Sequence, residues 1–209
     1  YAVRFVDSIT SFACDWSAPV WMQAETLEIG HFRPEGSDHR PSTFLRMLYT
    51  NDGIAGIFRV EDFFIKCTHV QDMSDIWKDS CVEIFLQPSP DVGYFNFEFN
   101  CGGALLASYI TDHTRTPEGF NCFSRFTLDE CSQVIRKTTL PRNTILEINA
   151  HTVWLLQFFI PFPLLTKYTG EIGPIEGQIW KANAYKCGDE TSHPHWASWQ
   201  PLPEKNFHL

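Results

Sequence analysis

With 209 residues, an apolar share of 44% and Phe 18, Trp 7 and Tyr 6, the chain can build a substantial core, and an all-β sandwich of this length is commonly one domain. The formal charge of -9, with no run of Lys or Arg, excludes the clustered cations that a nucleic-acid backbone requires. The apolar stretch from Val153 to Leu165 is cut by Pro161 and Pro163, which excludes a membrane-spanning segment there.

Taken in chain order, Ala18 to Glu25 has the pattern of a helical turn or two, and Arg33 to Ser42 reads as a polar loop. Phe44 to Tyr49 and Ile54 to Val60 flank Asn51, Asp52 and Gly53, a hairpin signal because Asp-Gly accepts positive φ. Alternating apolar and polar residues predict further strands over Phe63 to Val70, Cys81 to Gln87, Tyr94 to Asn100, Leu105 to Ile110, Val134 to Thr139, Ile145 to Asn149, Trp154 to Ile160 and Gln178 to Lys186. Thr111 to Asn121 reads as a loop, and Pro163 to Tyr168 as a short helix. The expected fold is all-β, an antiparallel jelly-roll-like sandwich with minor short helices, forming a single domain over residues 1–209.

The informative stretch is IWKDSCVEIFLQPSPDVGYFNFEFN, Ile76 to Asn100. Strand side chains alternate between faces, so Val82, Ile84 and Leu86 share one face while Cys81, Glu83, Phe85 and Gln87 share the other. The following strand puts Phe95, Phe97 and Phe99 on one face and Tyr94, Asn96, Glu98 and Asn100 on the other. Joined across Pro88 to Gly93, the simplest register sets Glu83 opposite Glu98 and Cys81 opposite Asn100. Facing carboxylates repel, so a basic neighbour, a cation, a shared proton or a ligand must offset them.

Trp77 precedes this hairpin and offers an indole face on which the CH groups of a sugar can stack, with Glu and Asn nearby for its hydroxyls. Two other readings share these residues. Glu83 and Glu98 could be the carboxyl pair of a glycoside hydrolase, or Trp77 could cover an open sheet edge and Glu83 be merely solvated, in a sandwich that has lost sugar binding and serves as an interaction module. The Cys14, Cys67, Cys81, Cys101, Cys122, Cys131 and Cys187 thiols form no CxxC pair and read as buried free cysteines. His193 and His195, with His208, are candidate transition-metal ligands, but a short His-Pro-His segment more often bridges a turn.

Several separated segments together resemble the family 9 carbohydrate-binding modules. WKDSCVEIFLQP resembles the family's Trp-and-Glu block; WMQAETLEI resembles its opening strand, and RMLYTNDGIAGIFRVED a hairpin ending in an acid, here Asp62. FNFEFNCGG, WLLQFFIPFPLL, ASWQP and the terminal NFHL resemble its later signatures. The resemblance implies a non-catalytic sandwich that holds a saccharide between aromatic side chains in support of polysaccharide breakdown. Trp77 is then one wall and Phe207 the other, with Trp199 the second choice, while Glu83, Glu98 and Asn100 meet hydroxyls.

Where sugar-binding members carry Arg beside the Asn, this chain has Glu98, and Gln157 stands where many relatives have Glu. Some relatives hold structural calcium, for which Asp62, Asp72, Asp75 and Asp79 are the candidate acids here, without a regular ligand spacing. The resemblance also implies glycoside hydrolase partners and an exported setting: extracellular, periplasmic or at the cell surface. The chain opens at Tyr1 without a leader pattern, so any signal peptide is expected to have been removed or to lie outside this sequence.

Overall fold

A computed structural model describes residues 1–117, 119–144 and 146–209. In chain order the strands are β1 (Arg4–Phe5), β2 (Leu27–Glu28), β3 (His31–Phe32), β4 (Ser42–Tyr49), β5 (Gly53–Ile65), β6 (Cys81–Gln87), β7 (Tyr94–Asn100), β8 (Leu105–Thr116), β9 (Gly119–Arg125), β10 (Ile135–Thr138), β11 (Ile148–Pro161), β12 (Lys181–Gly188) and β13 (His195–Ser198). Helices α1 (Leu128–Gln133) and α2 (Phe162–Thr169) are short. One sheet runs β1-β4-β5-β11-β10 with β2 also on β4; the other runs β3-β13-β12-β6-β7-β8-β9. Every pairing is antiparallel except β1 with β4. This is the all-β sandwich expected. No helix among the described residues is long and apolar enough to cross a membrane.

The core fills the space between the sheets. Phe95, Phe97 and Phe99 point inward with Val82, Ile84 and Leu86, against Phe58, Trp154, Leu156 and Phe158 from the opposite sheet. Phe99 stacks on Phe158 at 5.3 Å. Burying each such ring stabilises the fold by about 1.5–3 kcal/mol. Outside the first sheet, the N-terminal segment lays Trp21 and Val6 over Leu48, Ala55 and Ile57. The β4-β5 turn needs its glycine for room, since a Cβ on Gly53 would sit 2.3 Å from the Ile160 carbonyl oxygen.

The elements depart from the sequence reading in instructive places. Ile54 to Val60 and Phe63 to Val70 do not form two strands; β5 runs on to Ile65, because Asp62 is buried and bonded inside the sandwich instead of breaking the strand. Ile145 to Asn149 and Trp154 to Ile160 similarly merge into β11, with a register shift between Asn149 and Thr152, and Ile145 itself lies outside the described residues. Thr111 to Asn121 is not a loop. β8 continues to Thr116 and pairs with β9 in an exposed edge hairpin, whose polar residues on both faces hide the alternation. Ala18 to Glu25 yields only a 3-10 turn, Trp21–Gln23. Helix α1 was not anticipated, although Thr127 and Glu130 close a capping box, a pairing the T-x-x-E sequence carries.

Candidate functional site

The outer face of the second sheet carries the polar half of β6 and β7. Glu83 faces Glu98 and Cys81 faces Asn100 in the register read from the hairpin. These side chains are not solvated: Asn96 is 2% exposed, Glu83 3% and Glu98 7%. The 3-10 turn Ile76–Lys78, the β8-β9 hairpin and the C-terminal tail roof them over and leave a cavity of about 340 Å³. That is the small end of ligand sites, on the scale of one or a few sugar rings.

Trp77 and Phe207 both line this cavity. Buried Ile76 anchors the turn that presents Trp77, a residue that stays 37% exposed. Phe207 is backed by Tyr185, ring centroids 4.2 Å apart at 14°, and the Tyr185 hydroxyl donates to the Phe207 carbonyl at 2.8 Å. The next residue, His208, shares a 2.8 Å hydrogen bond with the Tyr94 hydroxyl. Burial, helped by Arg115 and His113, lowers its pKa to about 3, so the imidazole is neutral.

Sequence reasoning missed the rest of the lining. Trp196 contributes its ring and donates from Nε1 to Asp189 at 2.7 Å. Arg115 lies 4.4 Å above Phe120, Arg125 6.0 Å above Phe123 and Lys205 3.1 Å above Trp196. Two guanidinium groups, Arg115 and Arg125, thus reach the cavity from the β8-β9 hairpin. Phe120 and Phe123, three positions apart and so off a strict alternation, left little signal for that hairpin in the sequence.

The facing carboxyls are reconciled by protons and by these cations. Burial, reinforced by Cys187 and Glu98, pushes the Glu83 pKa well above the carboxylate range. Burial also raises Glu98 to about 7, against the Asn96 hydrogen bond and the pull of Arg115 and Arg125. Asn96 Nδ2 donates to Glu98 Oε1 at 2.7 Å. The partner atoms, Asn96 Oδ1 and Glu98 Oε2, are buried with no hydrogen-bond partner among the described residues. Each such orphan costs about 1–3 kcal/mol, so the floor holds two acceptors waiting for donors.

The other expected residues lie elsewhere. Asn100 shares the face of Glu98 but does not line the cavity; its amide donates to the His69 carbonyl and Asp79, and its Oδ1 accepts from Ala104 N. Trp199 lines a larger cleft of about 940 Å³ on the other side of Phe207 and His208, which contains neither Glu83 nor Glu98. Gln157 is structural, bonded to Ser11 and Cys14. The four acids considered for calcium do not share a site. Asp79 accepts from Thr68, His69 and Asn100, Asp72 from Arg136 and Leu105 N, Asp75 meets Lys78, and Asp62 meets His39 and Lys186. His193 and His195 lie together, both beside His39, with His195 Nδ1 at 2.9 Å from the His193 carbonyl, but His193 stacks on Phe64, His195 bonds Lys186, and His208 is apart beside Tyr94.

Among solved structures, a protein from Bacteroides uniformis proposed to bind carbohydrate is 24% identical, with a TM-score of 0.80 over 99% of this chain and 94% of that one. A family 9 carbohydrate-binding module from Caldicellulosiruptor kristjanssonii, in complex with glucose, is 12% identical, with a TM-score of 0.59 over 94% of this chain and 84% of that one. The cellotriose complex of a module from the same organism matches at 10% identity and a TM-score of 0.58, over 94% and 82%. At these identities the likeness is one of fold. Comparison with curated proteins finds no match. The profile of carbohydrate-binding family 9 matches residues 20–209, nearly the whole of the sandwich just described, and the chain belongs to that family.

Proposed function

We propose that this member of a carbohydrate-binding family holds its saccharide in the Trp77–Phe207 cavity, as a non-catalytic module. The observation that carries the reading is the floor: two buried acceptors without partners, Asn96 Oδ1 and Glu98 Oε2, beneath aromatic side chains. Sugar hydroxyls supply the donors such acceptors lack, while the CH face of the ring takes Trp77 or Phe207. Arg115 and Arg125 donate to the hydroxyls nearer the mouth. Protonated Glu83 donates as well as accepts. With about 0.3 kcal/mol per heavy atom for some 20 atoms, affinity reaches about 6 kcal/mol, a Kd of tens of micromolar. An exported module serving polysaccharide-degrading partners is the setting this chemistry suits.

The test is calorimetric titration of mono- and oligosaccharides into the wild type and Trp77→Ala, with reducing-sugar release followed in the same mixtures. We expect heat with a subset of sugars, weakened at least about tenfold by Trp77→Ala, and no release. Sugar release abolished by Glu83→Gln would establish the hydrolase reading instead. Absence of heat with every sugar would sink the binding proposal.

A further inference from the structure

Beneath the cavity lies a cluster that sugar binding leaves unexplained. Cys81 on β6 pairs directly with Cys187 on β12, and Glu83 follows two residues after Cys81 on the same strand face. All three are buried, and their ligand atoms lie within 4.8 Å of one another. Cys187 Sγ donates to Glu83 Oε1 at 3.3 Å and has a longer contact, 3.6 Å, with the Trp77 carbonyl. Among the described residues Cys81 Sγ has only a 3.8 Å contact with its neighbour's carbonyl, besides Cys187. Two sulfurs and a carboxyl thus have little company but each other, where burying polar groups without good partners is costly.

The cluster also has an entrance. Cys187 and Glu83 line the cavity while Cys81 lies behind them. Across the sheet from Glu83, Glu98 Oε2 is buried without a partner in the same cavity, a further oxygen on the open side. The nearby Lys186 ammonium does not compete for the space: the residue points to the opposite face of β12, where it meets Asp62 and His195.

We infer that Cys81, Glu83 and Cys187 form a binding site for a thiophilic divalent cation of the zinc class, entered from the saccharide cavity. Two sulfur donors and one carboxylate suit such an ion and not calcium or magnesium, which take oxygen shells. Binding releases the two thiol protons and the Glu83 carboxyl proton to solvent, giving two thiolates and a carboxylate around the cation. The ion then ties β6 to β12 directly below the sugar cavity and fixes the direction in which Glu83 points.

The experiment uses full-length protein kept reduced with a phosphine, stripped with a chelator and titrated with cobalt(II). We expect a thiolate-to-cobalt charge-transfer band saturating at one equivalent and collapsing on addition of zinc. Cys81→Ser and Cys187→Ser abolish the band, Glu83→Gln weakens cobalt binding at least about tenfold, and Cys122→Ser, at an exposed thiol elsewhere, changes nothing. Since a serine in the sheet can disturb folding, a second measurement uses the wild type alone: zinc shields two thiols from alkylation, and peptide mapping identifies them as Cys81 and Cys187. No charge-transfer band, a band surviving Cys187→Ser, or protection of other cysteines overturns the inference.

Discussion

Two buried polar regions of this molecule have similar ingredients and opposite arrangements. Between the sheets, Lys186 of β12 lies 3.6 Å from Asp62 of β5, both side chains fully buried. The Lys186 ammonium donates to His195 Nε2 at 2.7 Å and to the Cys187 carbonyl at 2.9 Å. Asp62 Oδ1 meets His39 at 2.6 Å and accepts from Phe63 N and Phe64 N. Asp62 Oδ2 makes no hydrogen bond among the described residues, but the Lys186 ammonium faces it at 3.6 Å, so this cluster finds its counter-charge within the protein. Across β12, on the outer face, Glu83, Asn96 and Glu98 are buried almost as deeply but leave acceptors open to a cavity. The closed arrangement joins the sheets; the open one keeps hydrogen-bonding capacity in reserve for a ligand.

The sharpest way to break this contrast is Lys186→Met. It leaves Asp62 charged and buried without its main counter-charge, and removal of one partner of a buried pair costs about 3–5 kcal/mol. Against a typical domain stability of about 5–15 kcal/mol, the urea midpoint should fall steeply. A midpoint unchanged from wild type would show that the pair contributes nothing.

Acid should attack the closed cluster next. Burial, with Lys186 adding to it, lowers His195 from 6.5 to about 3. As the pH falls, the unfolded chain therefore takes up this proton first: the stability is fully present above about 6.5 and is lost progressively toward about 3. Asp62 adds to the same slope at lower pH, because Lys186 and His39 outweigh its burial and pull its pKa below 3.8. Unfolding free energies measured from pH 7 to pH 4 should decline in the wild type and decline less in His195→Gln. Parallel curves would exclude His195 as a source of the slope.

The same contrast explains what could be read from the sequence. The Glu83–Glu98 register was legible because Pro88 to Gly93 is a short connection and both strands alternate cleanly. Trp77 was legible from its place before the hairpin, but Phe207 was reachable only through family resemblance, since 130 positions of chain separate residues 77 and 207 and no local pattern predicts that they meet. Arg115 and Arg125 escaped notice because the β8-β9 hairpin is exposed and polar on both faces. Asn100 shows the limit of alternation: it sits on the right face but too far along the strand, where Asp79 and His69 take its amide. The internal role of Asp62 was equally invisible, because a charge within an apolar run reads as a break when its partners, Lys186 and His39, are distant in sequence.

Glu98→Gln is the smallest change and the most discriminating. In a closed cluster, removing a charge strands its partner; in the cavity, Glu98 Oε2 has no partner to strand. The amide keeps the shape and can still accept from Asn96, while the chain no longer buries a carboxyl opposite Glu83. Stability should therefore hold or rise by up to about 1 kcal/mol, the reverse in sign of Lys186→Met. Saccharide affinity should fall about tenfold, because a carboxylate accepts hydroxyl protons more strongly than an amide. Equilibrium unfolding and calorimetric titration of the same preparation read both effects. A variant that lost stability and kept its affinity would show Glu98 to be a structural group, and the floor of the cavity would then belong with the Asp62 cluster instead of opposite it.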